Sequence, residues 1–156
     1  MSIRAAERRD VTQLAQMIAQ LAAHHGDAAT ISEDALERDA LGPAPWLIVL
    51  VAQAAHELVG YAAIGRRSQL QFGLRGAELH HLFVAPAFRG KGLGERLISA
   101  SLETARDLGC RYMTVGTETA NRPAQRFYRA CGFDPLPAPG PRFRIVLEGR
   151  RNDALT

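Results

Sequence analysis

The sequence predicts one domain of the α/β (α+β) class over residues 1–149, followed by a short C-terminal tail at 150–156. Its 156 residues are 47% hydrophobic, which is enough to fill one core but not two. Stretches of helical and of strand periodicity alternate along the chain, without internal repeats or a low-complexity linker. Near the middle, a strand leads through a glycine-rich loop into a helix and a further strand, a unit that places two parallel strands in one sheet.

The first part of the chain predicts one short strand and two helices. The strand lies around residues 3–6, and the first helix begins near Asp10, a plausible cap. A second helix is predicted over 32–41, because Ser32 is a favourable N-cap and Gly42 interrupts the helical pattern.

Residues 46–85 change to a strand pattern. Apolar runs rich in β-branched and aromatic residues cover 46–53, 58–71 and 78–85, and turn residues separate them. The three runs predict a meander of antiparallel strands.

The chain then returns to a helical period. Apolar positions predict a helix over 93–108 that ends before Gly109. The next strand, at 111–118, is expected to lie parallel to the strand at 78–85, since the connection between them is a helical crossover.

The last elements are a short helix and a final strand. Asn121 is a good cap for a helix that Gly132 closes, and a proline-rich loop follows it. Residues 142–147, with the sequence RFRIVL, predict the last strand.

Composition excludes several classes of protein. The net charge of +3 comes from 19 basic and 16 acidic residues, which is a mixed surface without the basic runs of a nucleic-acid binder. No apolar run reaches the length of a membrane span and the start lacks an apolar leader, so a cytoplasmic protein is expected. Cys110 and Cys131 are too few for a disulfide framework and have no metal-ligand spacing, so reduced thiols and no metal site are expected.

The stretch FRGKGLGERL carries glycine at alternate positions, Gly90, Gly92 and Gly94, directly before a helix. Glycines let backbone N–H groups approach a ligand closely, and the helix adds the positive end of its dipole. The combination suits a multi-oxygen anion such as a pyrophosphate. The P-loop pattern is absent, and the dinucleotide pattern fails because Glu95 stands where its third glycine belongs. A tight turn without a ligand is the structural alternative.

Two motifs resemble the GNAT superfamily of N-acetyltransferases, which use acetyl-CoA. The superfamily signature (Q/R)xxGx(G/A) is matched by Arg89, Gly92 and Gly94, after the stretch LFVAP at 82–86. A later NxxAxxFYxxxGF pattern is matched by Asn121, Ala124, Phe127, Tyr128, Gly132 and Phe133.

The resemblance implies a mixed, mostly antiparallel sheet of six to seven strands with helices on both faces. It also implies that the strands at 78–85 and 112–117 splay apart and admit the pantetheine arm of acetyl-CoA. The cofactor-binding residues implied are Leu82, Phe83 and Val84 beside the pantetheine, Arg89, Gly90, Lys91, Gly92, Leu93, Gly94 and Glu95 around the pyrophosphate, and Asn121 near the pantetheine.

The chemistry of acetyl transfer needs an acid, a base and an oxyanion donor. An alkyl ammonium with a pKa near 10.4 must lose its proton before it attacks a thioester. A backbone N–H near Val84 is a candidate donor to the acetyl oxygen. The resemblance places Tyr128 near the thioester sulfur, where its phenol can protonate the departing thiolate; core packing with a satisfied hydroxyl is its structural alternative.

Two residues are candidate bases. Strict strand alternation places Glu78 and His80 on one face and His81 on the other. Within the superfamily, a glutamate at the position of Glu78 serves as base in histone acetyltransferases, and the position of His80 resembles one used by arylalkylamine acetyltransferases. A relay through both residues, or an ordered water, remains open.

The acceptor is expected to be a small molecule with a primary amine, because a short chain has no recognition module. A protein lysine or N-terminus is the alternative acceptor, and a CoA-binding regulatory module without efficient turnover is the alternative class. A homodimer is possible. His24, His25 and Asp27, in the connection between the first two helices, are candidates to line the acceptor pocket or to lie in a solvent loop.

Overall fold

A computed structural model of the protein describes residues 1–148, and the predicted tail at 150–156 lies outside them. Strands and helices alternate as the periodicity predicts. The strands are β1 Ser2–Ala5, β2 Leu47–Ala54, β3 Glu57–Gln69, β4 Leu74–Val84 and β5 Tyr112–Val115. The helices are α1 Val11–His24, α2 Glu33–Leu41, α3 Leu93–Asp107 and α4 Arg122–Ala130. None of the helices described is both long enough and apolar enough to cross a membrane.

The strands form one mixed sheet in the order β1-β2-β3-β4-β5. The first four are antiparallel neighbours, and β5 lies parallel to β4, which confirms the mostly antiparallel sheet and the helical crossover. The expected count of six to seven strands is wrong for residues 1–148, where five strands are found. The difference lies at 142–147, which belong to no strand.

Helices cover both faces of the sheet, as expected. On one face, α1 and α2 pack on alternate residues of the central strands around Val51 and Tyr61. On the other face, α3 and α4 pack on Leu79 and Val59. The two faces of each central strand are both apolar, because each strand is buried between two helical layers.

Local sequence explains where the helices begin. Ser32 Oγ accepts a hydrogen bond of 3.0 Å from Ala35 N and so caps α2, as predicted. Before α1, the buried carboxylate of Asp10 accepts two hydrogen bonds from the Arg4 guanidinium, at 2.7 and 2.9 Å. This pair ties β1 to the start of α1.

The sheet opens between β4 and β5. The two strands pair only from Gly76 to Leu79 on β4, while β4 continues to Val84. β5 ends at Val115, before the predicted boundary at 117. Residues 80–84 of β4 therefore have β3 on one side and no strand on the other, which is the expected splay.

A β-bulge in β4 changes the faces predicted by strict alternation. Ala63 of β3 pairs with His81 and the next residue, Ile64, pairs with Leu79, so His80 is the extra residue. Opposite residues share a face, and Gly65 pairs with Glu78. Glu78 therefore lies on the same face as His81, which is the face covered by α1 and α2. The prediction that Glu78 and His81 face opposite ways is wrong, because a bulge shifts the alternation by one residue.

The chain after Phe133 is exposed to solvent. Every residue from Asp134 to Glu148 is exposed. The two cysteines earlier in the chain, Cys110 and Cys131, are free and half-buried.

Candidate active site

The open part of β4 directs backbone groups into the gap beside it. The N–H of Ala85 donates to Val59 of β3 at 2.8 Å, and successive residues of a strand point their backbone groups in opposite directions. The backbone groups of Val84 and Leu82 therefore face the gap. Phe83, between them, directs its backbone groups toward β3. Its ring is buried on the face of the sheet that α1 and α2 cover.

The glycine loop joins this gap to the start of α3. Gly90 and Gly92 have φ values of +73° and +83°, a backbone conformation that residues other than glycine rarely adopt. A Cβ at either position would meet open space. Gly92 is the N-cap of α3, so the N–H groups of Leu93, Gly94 and Glu95 have no partners within the helix. The loop and the helix start thus supply the N–H donors and the positive dipole end that the sequence predicts for a pyrophosphate site.

Gly94 is explained by packing instead of by its dihedral angles. A Cβ at this position would lie 3.0 Å from the ring of Phe127 in α4. The small residue lets α3 and α4 approach each other. The two glycines of the signature, Gly92 and Gly94, therefore have different physical functions.

The basic side chains of the loop turn back onto the protein. Arg89 Nε donates to the carbonyl of Val84 at 2.8 Å, and its guanidinium lies 5.8 Å from the centre of the Phe83 ring. Lys91 Nζ donates to the carbonyl of Ala87 at 3.3 Å. Arg89 thus holds the loop against the end of β4, at a carbonyl that faces the gap.

Tyr128 lies in α4, in the apolar cluster that also contains Leu82 and Val84. Its ring makes edge contacts with Phe127 and Phe133, with centroids 5.4 and 5.7 Å away. Burial, together with the nearby Cys131 thiol, raises the pKa of the Tyr128 phenol. The phenol therefore stays protonated at neutral pH, which is the state a general acid requires.

Asn121 caps α4 as predicted. Its Oδ1 accepts a hydrogen bond of 3.2 Å from Ala124 N. The capping interaction fixes the start of the helix that carries Tyr128.

Glu78 lies next to an arginine on the α1 and α2 face of β4. Arg67 Nη1 is 3.3 Å from Glu78 Oε2 and 3.4 Å from Thr114 Oγ1. About half of the Arg67 side chain and 42% of the Glu78 side chain are exposed, so both charges are accessible to a ligand. A carboxylate and a guanidinium therefore stand side by side on this surface.

The bulge brings His80 and His81 together. Their rings stack with centroids 4.3 Å apart, and His80 is exposed. A hydrogen bond of 3.0 Å joins His81 Nδ1 and the hydroxyl of the buried Tyr61. Burial, with smaller contributions from His80 and His25, lowers the pKa of His81 to about 4, so its imidazole is neutral at pH 7. Burial also raises the pKa of Tyr61.

Sequence reasoning missed His81, Tyr61 and Arg67. The one signal in the sequence was the adjacent pair of histidines, but a bulge cannot be read from a strand pattern. His25, which follows the end of α1, contributes to the lowered pKa of His81. The part of the chain that the structure describes holds no group of three or more side chains suited to a metal ion.

A mixed sheet that opens between a long β4 and a short β5, with a glycine loop leading into a helix, has the architecture of N-acetyltransferase domains. A model of the acetyltransferase (GNAT) family matches residues 11–133. The chain belongs to this family. It is an acetyl-CoA-dependent N-acetyltransferase, as the two motifs predict.

Curated relatives act on small amines. Thialysine N-epsilon-acetyltransferase from Bos taurus is 31% identical over 86% of this chain and 84% of its own length. L-methionine sulfoximine/L-methionine sulfone acetyltransferase from Pseudomonas aeruginosa is 34% identical over 65% of this chain and 60% of its own length.

A solved structure extends the likeness to nearly the whole chain. Aminoglycoside N-acetyltransferase AAC(6')-Iy in complex with CoA superimposes with a TM-score of 0.72 and 25% identity, over 92% of this chain and all of that one. The relative's complex with CoA, together with the family match, supports acetyl-CoA as the co-substrate here.

Proposed function

We propose that the protein acetylates a small amino acid or a close analogue at a primary amine, with acetyl-CoA as donor. The observation that carries this proposal is the pair of opposite charges on β4 and β3, Glu78 and Arg67, whose oxygen and nitrogen are 3.3 Å apart. An amino acid presents an ammonium and a carboxylate, which these two groups match. The relatives named for thialysine and for methionine sulfoximine act on molecules of this kind.

In the proposed mechanism, Glu78 removes the proton of the bound ammonium, directly or through the exposed His80. The free amine then attacks the acetyl carbon of the donor, which lies in the gap beside β4. The N–H of Val84 donates to the acetyl oxygen as negative charge develops on it. As the C–S bond breaks, Tyr128 gives its proton to the departing sulfur, and the second proton of the amine nitrogen passes to the Tyr128 phenolate. The products are an N-acetylated amine and CoA with a free thiol, and Glu78 releases its proton to solvent.

The donor is held in this proposal by backbone groups. Leu82 offers its N–H and C=O groups to the pantetheine arm, next to the Val84 N–H that faces the thioester, and Asn121 approaches the arm from the start of α4. The N–H groups from Gly90 to Glu95 receive the pyrophosphate, with Arg89 and Lys91 adding positive charge.

The first experiment measures release of CoA thiol from acetyl-CoA against a panel of acceptors. The panel contains amino acids with α- and side-chain amines, polyamines, aminoglycosides, arylalkylamines and lysine peptides. Release that depends on an amino acid supports the proposal. Release that depends only on lysine peptides would make the protein a protein acetyltransferase, and donor binding without any release would favour a CoA-binding regulatory module.

Arg67 provides a direct test of carboxylate recognition. We expect Arg67→Met to raise KM for the amino acid about tenfold or more, since a charge-assisted hydrogen bond contributes about 1.5–3 kcal/mol. The matched acceptor is the amine that lacks the carboxylate, for which KM is expected to change little. Arg66→Met, at the neighbouring residue of β3, is the control variant. Equal effects of Arg67→Met on both acceptors would remove the proposed contact.

We also propose that the protein works in the cytoplasm, as a homodimer and without a metal. Direct attack of an amine on a thioester needs no Lewis acid, which is the chemical support for the last point. Turnover that is unchanged after treatment with a chelator would agree with it, and turnover restored by an added divalent cation would contradict it.

A further inference from the structure

The side chain of His81 is held in place from two directions. Its Nδ1 lies 3.0 Å from the hydroxyl of Tyr61, which belongs to the core that α1 and α2 cover. Its ring stacks on that of His80, with centroids 4.3 Å apart and an angle of 12° between the two planes. The hydrogen bond fixes one nitrogen of the ring and the stack fixes its plane, so the second nitrogen, Nε2, has a defined direction. The proposed mechanism gives His81 no part.

The hydrogen bond to Tyr61 also decides which nitrogen of His81 carries the proton. Tyr61 is 1% exposed, and among the residues described its hydroxyl has this one hydrogen-bond partner. Burial raises the pKa of the phenol, so the O–H group keeps its proton. A proton on Nδ1 would leave that O–H buried without an acceptor, which is unfavourable. The O–H therefore donates to Nδ1, and the neutral imidazole carries its proton on Nε2.

The Nε2–H group of His81 is a free donor that solvent can reach. The bond to Tyr61 is the one hydrogen bond that the described residues make with the His81 ring. Within residues 1–148, every fully buried nitrogen or oxygen of a side chain has a hydrogen-bond partner. Because Nε2 has none and His81 is half-buried, this atom lies at the surface. A neutral N–H donor with a fixed direction is therefore available to a ligand.

Three polar groups follow one another on the face of the sheet that α1 and α2 cover. The bulge places His81 on this face, opposite Ala63. Glu78 is opposite Gly65, two residues further along β3, which is a separation of roughly 7 Å. Arg67 is two residues beyond Gly65, and its guanidinium reaches back to Glu78. The order along this face is an N–H donor, a carboxylate and a guanidinium.

We propose that His81 determines the choice of acceptor, and that its Nε2–H donates to a neutral oxygen on the side chain of the amino acid that is acetylated. This inference rests on the proposed function, in which Glu78 receives the ammonium and Arg67 the carboxylate. A side chain of two methylene groups that ends in an amide, a sulfoxide or a sulfone spans the roughly 7 Å between Glu78 and His81. The substrate class is therefore amino acids that carry such an oxygen.

A neutral donor distinguishes this side chain from an apolar one without adding charge to the site. Burial lowers the pKa of His81 to about 4, so at neutral pH the ring places no positive charge near the bound ammonium. An apolar side chain would cover Nε2–H with carbon and leave the donor without a partner, and sites built for a hydrogen bond reject analogues that cannot form it. The site should therefore discriminate against an apolar analogue.

L-Methionine sulfone and L-methionine form a matched pair of acceptors, because they differ only in the two oxygens on sulfur. For the wild-type enzyme we expect kcat/KM to be at least about tenfold higher with the sulfone. His81→Phe should bring this ratio close to one. His81→Gln should preserve most of it, since the amide N–H of glutamine can take the place of Nε2–H. His56→Phe, at an exposed histidine, is the control and should leave the ratio unchanged.

The ratio separates specificity from a structural effect, because damage to the fold lowers kcat/KM for both acceptors equally. Equal kcat/KM values for the two acceptors in the wild-type enzyme would overturn this inference and leave the proposed function in place. A ratio that His81→Phe does not change would do the same. No turnover with any amino acid would instead contradict the proposed function, and this inference with it.

Nitrogen NMR of the isotope-labelled histidine rings tests the tautomer without any acceptor. In the wild-type protein at neutral pH we expect the His81 proton on Nε2, with Nδ1 unprotonated. Tyr61→Phe removes the donor to Nδ1, so both tautomers should then be populated. His81→Gln identifies the signal by its loss. A wild-type proton on Nδ1 would overturn the inference, whatever the acceptor proves to be.

Discussion

Tyr128, the proton donor of the proposed mechanism, has a phenol whose pKa is raised by its surroundings. Its ring is half-buried against the rings of Phe127 and Phe133, and burial together with the Cys131 thiol raises the pKa of its phenol. A proton donor with a raised pKa remains protonated over the whole physiological range of pH.

We expect Tyr128→Phe to lower kcat by tens to thousands-fold and to leave the Kd for acetyl-CoA nearly unchanged, because the ring is kept and only the proton is lost. Stopped-flow turnover and calorimetric titration of the donor measure the two quantities. Tyr112→Phe, at a half-buried tyrosine of β5, is the matched control. Wild-type turnover in Tyr128→Phe would remove the phenol from the mechanism.

Two side chains, Glu78 and His80, are candidates for the base of the proposed mechanism. We expect Glu78→Gln to lower kcat/KM by about 100-fold and His80→Gln by less than tenfold, since the carboxylate faces the proposed ammonium site. Measured kcat/KM against pH should lose its acidic limb only in Glu78→Gln. The reverse ranking would assign the base to His80, and two small effects would favour an ordered water.

His81 predicts a pH dependence of stability. Its folded-state pKa is lowered from 6.5 to about 4, so the unfolded chain binds more protons between these values and stability falls as pH decreases from about 6.5 to 4. We expect a loss of roughly 1–2 kcal/mol across this window after allowance for solvent screening. Urea denaturation at pH 7.5 and at pH 5 measures it. The loss should be absent in His81→Gln and unchanged in His56→Gln, whose histidine is exposed.

At the scale of elements, the glycine loop combines two requirements that look identical in the sequence. Gly92 is required by its left-handed backbone at the start of α3, whereas Gly94 is required by contact between α3 and α4. The pattern predicts a phosphate loop, but only the structure separates the residue that shapes the loop from the one that lets the helices approach.

A matched pair of glycines separates backbone strain from donor binding. Gly92 and Gly109 have φ values of +83° and +81°, and a Cβ at either would meet open space. Valine at either position should therefore cost similar stability, which thermal unfolding measures. We expect only Gly92→Val to weaken acetyl-CoA binding, by about tenfold or more, because its side chain enters the proposed pyrophosphate site. Equal Kd values for the two variants would mean that the phosphate loop is misplaced.

The bulge in β4 could not be predicted from the sequence. Alternation predicts faces only where the pairing of strands is regular, and one extra residue at His80 reverses the assignment of Glu78 relative to His81. A bulge arises from the pairing of two strands, and neither strand alone encodes it.

For the whole molecule, the sequence predicts the order of elements, the two-layered covering of the sheet and the family. Periodicity, caps such as Ser32 and the two motifs are local signals, and they can be read from the sequence without knowledge of the tertiary structure. The number of strands cannot be predicted from local signals, because a segment becomes a strand only when it hydrogen-bonds to a neighbouring strand. Residues 142–147 have the pattern of a strand, yet among residues 1–148 they are assigned to no strand.

The early end of β5 also leaves backbone groups at the end of β4 without a partner in the sheet. The amides of Leu82 and Val84 have no strand partner on the side of the gap, so in the free protein their hydrogen exchange should be faster than at Leu79, which lies within the paired region. A ligand that forms hydrogen bonds with these amides takes the place of a neighbouring strand. At a hundredfold excess over its Kd it stabilises the native state by about 2.7 kcal/mol. If acetyl-CoA binds beside β4 as proposed, the stability of the folded enzyme therefore rises with the concentration of its donor.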